Sequence, residues 1–457
     1  MQIFKSSLFA VCVAGIVLMS SCKKETSSDE QPPVDSTGNG SVNDKIKDTV
    51  LGYSQDIYLW FEQIPSTFKP RTYADPNKIM TAIREYSVEP GFTKPVDRWS
   101  FAMKKAEWDD LSSGIAGDFG IDVVFRAEGD LRVKSVEKKS PAGKAGVRRG
   151  WRITKLNGSS NITTTNSNAI VDAVFYSNST VFEFQKPDGT STTSTLAATS
   201  YQQNPIFLDT VYTAGANKVG YLVFNSFLGD SNQIYNSFQQ IFGRFVSENV
   251  KDVIVDLRYN GGGYVSMQEK LANYLVKPAA TGQLMMKEVF NKNYIKWNES
   301  INFSKLGSLN PSRVFFIVSD NTASASELLI NNLKPYVEVK LVGPKPTYGK
   351  PVGYFPIGVG DWYIFPVSFR STNKDGQGNY FDGIALDSKS ADGVDKDWGN
   401  IQEASLANVL SYIASGNFVP LSTTSTLGIS AEVSSKNKLF SDRSFKGAVI
   451  SQRPIKP

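Results

Sequence analysis

The chain has 457 residues, 40% hydrophobic and 20% charged, which is length for two to four domains and apolar material for a sizeable core. Its 49 basic and 44 acidic side chains leave a formal charge of only +5, and the Lys and Arg residues are scattered, so composition does not point to nucleic acid. There is no histidine, and the two cysteines are Cys12 and Cys22. Zinc and iron–sulfur sites are therefore not expected, and every histidine-based catalytic triad is excluded.

The first 22 residues, "MQIFKSSLFAVCVAGIVLMSSC", carry a lysine, an apolar stretch from Leu8 to Met19 and small residues before Cys22. This predicts a secretory signal peptide, too short for a membrane span. Its end, "LMSSC", resembles a bacterial lipoprotein signal, which implies an acylated Cys22 and a lipid-anchored chain in the cell envelope of a Gram-negative bacterium. Cys12 would leave with the signal, so no disulfide pair remains. Residues 23–42 are rich in Ser, Gly and Pro and read as a tether. The "KKE" that opens them resembles a surface-export signal of Bacteroidetes lipoproteins, with the periplasmic face of a membrane as the alternative location.

Residues 43–113 read as a helical N-terminal region. Ile46, Val50, Leu51, Tyr53, Ile57 and Trp60 recur at three- and four-residue intervals. A second short helix starts after Asp75, a cap residue, with Pro76 in its first turn. From Gly114 the pattern becomes strand, turn, strand, short helix, strand. "IDVVF" and "LRVKSV" flank the turn "AEGD", and "WRITKLNG" ends in the tight-turn pair Asn157-Gly158. Over 114–200 this unit resembles a PDZ domain, on "GDFGIDVVF" and "SPAGKAGVRRGWRITKLNG", with Trp151 where an aspartate is usual. The resemblance implies a groove for a peptide C-terminus, with Gly117, Phe119, Gly120 and Ile121 in the carboxylate loop and the adjoining strand.

Residues 201–416 alternate buried strands ("KVGYLVFNSF", "VKDVIVDLRYN", "RVFFIVSDN", "VEVKLVGPK") with helices. That alternation predicts a layered α/β core with parallel strands. Residues 417–457 are polar and irregular and take no assignment.

Candidate chemistry sits where "RVFFIVSDN" meets "TASASELLINN". Small residues at a strand-to-helix turn suit a serine nucleophile, because the turn exposes Oγ and a helix N-terminus favours developing negative charge. With no histidine, the base must be Lys, Asp, Glu, Tyr or a chain terminus. A serine–lysine dyad needs a neutral lysine, and lowering an ordinary lysine pKa by roughly three units costs about 4 kcal/mol, which burial can supply. Lys350, between a glycine and a proline in "PTYGKPVGYF", is the candidate; Lys345 and Lys340 are competitors.

Four ordered motifs resemble the carboxy-terminal processing (tail-specific) proteases, serine peptidase family S41. They are "VIVDLRYNGGG", "NTASASELL", "LVGPKPTYGKPV" and "YFDGIALD". Upstream, "DRWSFA" resembles the family's segment before the PDZ unit. The resemblance implies a crotonase- or ClpP-like layered α/β peptidase core, Ser324 as nucleophile and Lys350 as general base. It also implies an oxyanion site from the backbone of Gly261, Gly262 and Ala325. Ser326 and Glu327 would support the site, and Ser326 is the alternative nucleophile. Tyr354 stands where the family often has a glutamine that orients the lysine. Asp256 and Arg258 read equally well as a structural pair. The implied partners are polypeptide substrates with an apolar C-terminus and a membrane, through the lipid anchor; no nucleic acid, metal or other cofactor is implied. The rival readings are a peptidase-like adaptor that binds peptide C-termini without catalysis, and a crotonase-like enzyme acting on acyl thioesters.

Overall fold

The structure, a computed structural model, describes residues 41–419, 431–441 and 445–455. The predicted signal peptide, Cys22 and nearly all of the predicted tether lie outside these residues.

The strand-and-helix alternation of the second half builds a six-stranded sheet. Its order is Ser388–Lys389, Glu338–Gly343, Arg313–Ile317, Asp252–Asp256, Asn217–Phe224, Ile206–Ala214. The first five strands run parallel, and Ile206–Ala214 closes the edge antiparallel. Parallel strands buried on both faces read as unbroken apolar runs, which accounts for "VIV" and "VFFI". Val253, Val255, Val314 and Phe316 face one way, against the helices Ser231–Ser247, Val265–Leu275 and Ala325–Leu333. Ile254, Phe315 and Ile317 face the other, against Leu406, Val409 and Ile413 of the Ala404–Ser415 helix. The result is a mixed α/β, three-layer arrangement.

The segment from Ile121 to Ala197 makes a five-stranded antiparallel sheet whose strands lie in chain order. It has its own apolar core around Phe119, Phe125, Phe182 and Phe184. Val433 and Phe440, from the Ala431–Ser441 helix of the C-terminal region, complete that core.

In the N-terminal region Val42–Ile57, Pro76–Ile83 and Lys105–Ser113 are helices, and Asp75 caps the second by accepting from the Lys78 amide at 2.9 Å. Phe101–Lys104, inside the stretch read as helical, is instead a strand, paired antiparallel with Trp362–Phe365. A distant partner overrode the local preference. Val50, Ile57, Ile79 and Ile83 join the apolar cluster on one face of the six-stranded sheet. The C-terminal region holds a short strand as well, Gly447–Val449, paired in parallel with Gly262–Tyr264.

Candidate active site

Arg313–Ile317 ends at Val318, and the chain turns through residues 319–324 into the Ala325–Leu333 helix. The turn is pinned from below: Ser319 donates its hydroxyl to the Arg258 carbonyl, and Thr322 Oγ1 donates to the Leu257 carbonyl at 2.7 Å. At its apex Ser324 has φ 59° and ψ −110°. For a residue with a Cβ this conformation costs on the order of 1–3 kcal/mol and persists only where the surroundings over-determine it. Here the surroundings include Glu327, whose carboxylate accepts from the Ser324 amide at 2.7 Å. Ser324 Oγ is fully buried and meets no hydrogen-bond partner among the described residues.

Glu327 reaches further than a helix cap. Its other bonds come from the Lys350 amide at 2.8 Å, the Gly349 amide at 2.7 Å and Thr347 Oγ1 at 2.6 Å. One buried carboxylate thus ties the serine turn to the loop that carries Lys350. Burial raises its pKa, against the four hydrogen bonds that favour the ionised form. Gly349 must be glycine at φ 91°, because a Cβ there would lie 2.2 Å from the Phe381 carbonyl oxygen of the "YFDGIALD" segment.

Lys350 is wholly buried. Its Nζ lies 3.7 Å from the Tyr354 ring centroid and 5.9 Å from that of Trp99, and donates to the Lys446 carbonyl at 3.1 Å. Burial drives its pKa well below the ordinary lysine value; the carboxylates of Asp97 and Glu327 pull the other way and lose. Neither forms an ion pair with it. Asp97 accepts from the Tyr58 and Ser100 hydroxyls and from the Trp99 and Ser100 amides. No hydrogen bond joins Ser324 Oγ to Lys350 Nζ; the amine donates to Lys446 instead.

Tyr354 is also fully buried, and its hydroxyl donates to the same Lys446 carbonyl at 3.0 Å. Its link to Lys350 is the ring face and this shared acceptor. Ser326 Oγ donates to the Asn260 carbonyl at 3.0 Å, away from the lysine. Gly261, Gly262 and Ala325 do come together: a Cβ on Gly262 would lie 3.0 Å from the Ala325 amide nitrogen. However, the Gly262 N–H is already given to Asn260 Oδ1 at 2.9 Å, and an oxyanion role for it requires that bond to open. Lys345 is paired with exposed Asp320 at 2.7 Å, and Lys340 with Asp387 at 3.2 Å, so neither is a buried amine. Asp256 and Arg258 form a buried ion pair at 2.6 Å.

One contributor escaped the motif reading, and a second was read as a motif without its part in the site. Asn260 binds the Phe224 carbonyl, the Gly262 amide, Ser326 Oγ and the Ala323 amide, so it joins the glycine loop to the serine turn. The "DRWSFA" segment lines the lysine: Trp99 lies beside Nζ, and Arg98 donates to the Tyr348 and Phe381 carbonyls, each at 3.2 Å. The available signal was the crowding of polar and aromatic residues in six positions.

In the small sheet, Gly120 has φ 72°, and a Cβ there would lie 2.1 Å from Ser140 Cβ. Its N–H donates to Asp118 Oδ1 at 2.7 Å and its carbonyl accepts from Glu137. Phe119 is a core residue, Ile121 opens the edge strand, and nothing crowds Gly117. Among the described residues no cluster of three His, Cys, Asp or Glu side chains could hold a metal ion.

Comparison with known proteins follows the same lines. A Staphylococcus aureus (strain N315) protein named "Probable CtpA-like serine protease" is 27% identical over 264 residues, 56% of this chain and 49% of that protein. A Staphylococcus saprophyticus protein of the same name is 26% identical over 299 residues, 63% of this chain and 56% of its own. The chain thus spans about half the length of the curated relatives it matches. A crystal structure from Bacteroides fragilis NCTC 9343, provisionally called an S41 protease, superposes with TM-score 0.65 at 22% identity, over 80% of this chain and 97% of its own. That likeness shows a shared fold. Residues 218–389 match the model of peptidase family S41, and they span the glycine loop, the Ser324 turn and the Lys350 loop.

Proposed function

We propose that the protein is a serine endopeptidase in which Ser324 attacks the peptide carbonyl and neutral Lys350 takes its proton, then passes it to the leaving amine. One observation carries the reading: a wholly buried lysine, without an ion-pair partner, is tied through Glu327 to the amide of a buried, strained serine. Burial lowers the pKa of such a lysine well below the ordinary value, the direction a general base needs. The Ala325 amide, at the start of a helix and close to Gly262, supplies an oxyanion donor, with the Gly261 loop beside it. Extended polypeptides with apolar C-termini are the proposed substrates, the 114–200 unit acting as a PDZ-like recognition module through Gly117 to Ile121. Acylation of Cys22 would hold the enzyme at a cell-envelope membrane; among the described residues no helix is long and apolar enough to cross one.

The test is cleavage of unstructured polypeptides by the purified chain across pH 6 to 10, beside Ser324→Ala and Lys350→Ala. Both variants should lose activity by on the order of 10³-fold or more. Activity surviving in Ser324→Ala would sink the assignment. The missing Ser324–Lys350 hydrogen bond favours a second reading, a non-catalytic adaptor. An inert wild type that still binds C-terminal peptides would establish it.

A further inference from the structure

We propose that the C-terminal region, residues 431–441 and 445–455, is a built-in occupant of the two strand edges at which this chain takes peptides, and that an incoming polypeptide must displace it. The proposal rests on the reading above of the Ser324–Lys350 cleft and the small sheet as peptide-binding places.

At the cleft, Gly447–Val449 runs parallel to Gly262–Tyr264, and the Gly447 amide donates to the Gly261 carbonyl at 2.9 Å. On its other side the same segment bonds Tyr354: the Tyr354 amide donates to the Ala448 carbonyl at 3.0 Å, and the Ile450 amide to the Tyr354 carbonyl at 3.2 Å. A strand hydrogen-bonded along both edges by main chain is the geometry of strand addition, which holds an extended peptide with little regard to its sequence. The segment is also pressed against the chemistry. The Lys446 carbonyl takes hydrogen bonds from both Lys350 Nζ and the Tyr354 hydroxyl. A Cβ on Gly261 would lie 1.8 Å from the Phe445 carbonyl oxygen, and one on Gly262 would lie 2.2 Å from that of Gly447. With the segment in place Ser324 and Lys350 are both 0% exposed. No external polypeptide reaches either group until a covering element moves, and the strap crossing the glycine loop and Tyr354 is that element.

At the small sheet, Ile121–Ala127 is an end strand, whose outer edge is open to pairing. Asn437 occupies that edge: its side-chain amide donates to the Phe125 carbonyl at 2.8 Å and accepts from the Phe125 amide at 2.8 Å. Phe440 packs on Phe125 and Phe175, with centroids 5.9 and 6.2 Å away. Two stretches close together in sequence therefore close both edges at once. Beyond the strap, Arg453 reaches Glu299 at 3.4 Å, where both side chains are partly exposed, a contact of little strength.

The test uses the full chain, a form ending at residue 444, and Gly447→Val, whose side chain would meet the Tyr354 hydroxyl (2.4 Å from a Cβ there) and so expel the strap. The probe is a fluorescent peptide of residues 445–457, FKGAVISQRPIKP, followed by anisotropy. The truncated form and Gly447→Val should bind it, and the full chain should not. Both should also cleave an unstructured polypeptide with kcat/KM raised about tenfold or more, because the competent fraction rises. Folded variants that bind no peptide and cleave no faster would overturn the proposal. Peptide binding only by the opened forms, with no cleavage by any form, would keep the strap and reject the dyad. Hydrogen exchange on the intact chain avoids any folding defect of the variants. The Gly447 and Ile450 amides should exchange faster on adding a saturating unstructured polypeptide; unchanged exchange would count against displacement.

Discussion

Two groups of largely buried ionisable side chains lie around the same sheet, and burial acts on them with opposite results. Arg258 donates to Asp256, Glu403 and Asp392, and Arg149 to Asp392 and Tyr259. Burial penalises both guanidinium charges, yet Asp256 and Glu403 at Arg258, and Tyr259 and Asp392 at Arg149, outweigh it, and both pKa values end above the ordinary arginine value. The carboxyls of Asp392 and Glu403 are correspondingly held low, although burial alone would raise them. At Lys350 the penalty is of the same kind and the outcome reverses. Two carboxylates are close enough to act on it, but Asp97 and Glu327 have spent their acceptor sites on other donors. What remains for the amine is a ring face and a neutral carbonyl. Depth therefore does not decide whether a buried cation stays charged; the hydrogen-bond inventory of the nearby acids does. The first cluster keeps its charges and joins Arg149, which follows the small sheet's short helix, to the root of the glycine loop. The second lowers the pKa of its amine, which is the direction a base requires.

Substitutions can break this contrast. Lys350→Met should reduce cleavage on the order of 10³-fold or more without weakening the fold. Its melting temperature should match or exceed that of the wild type, because a buried amine is exchanged for an apolar chain of similar length. Arg258→Met should do the opposite: Asp256 and Glu403 would be left buried without their partner, at a cost of about 3–5 kcal/mol read from denaturant unfolding. Equal destabilisation by the two substitutions would mean that Lys350 is held charged after all.

Glu327→Gln sharpens the comparison. An amide cannot accept at both positions from four donors, so a loss of about 1–3 kcal/mol is expected. Because the Glu327 charge raises the Lys350 pKa, its removal should move the pH–activity curve to lower pH. An unmoved curve would show that Glu327 is already neutral. In the wild type the depressed lysine pKa has a definite sign: activity rises as pH climbs through it and is lost as pH falls below it. Stability follows the same direction. Between the folded-state pKa and the unfolded value of about 10.4, the unfolded chain binds the extra proton, so stability rises with pH. The Tm gain of Lys350→Met should therefore be largest at low pH and shrink toward pH 10. The smallest effect belongs to Tyr354→Phe, which keeps the ring under Nζ and loses one hydrogen bond to Lys446, about 1 kcal/mol.

Much of this was legible in one dimension. Apolar runs such as "VIV" and "VFFI" announce strands covered on both faces, and the Asp75-Pro76 pair announces a helix start, because each signal is local. The absence of histidine and the setting of Lys350 among Gly, Pro and aromatics pointed to an amine as the base. Less legible was Phe101–Lys104, whose partner strand begins at Trp362, more than 250 positions away. The roles of Asn260 and Trp99 were hidden for the same reason.

The sequence by itself determined the alternation of elements, the turn chemistry and the short list of groups able to attack or accept a proton. Only the tertiary structure decided which of those groups share a carboxylate, which amides are already spent, and that residues 445–450 lie across the glycine loop. The physical reason is that propensity and pattern act over a few residues, whereas desolvation and hydrogen-bond competition are set by whatever the rest of the chain brings within a few ångströms.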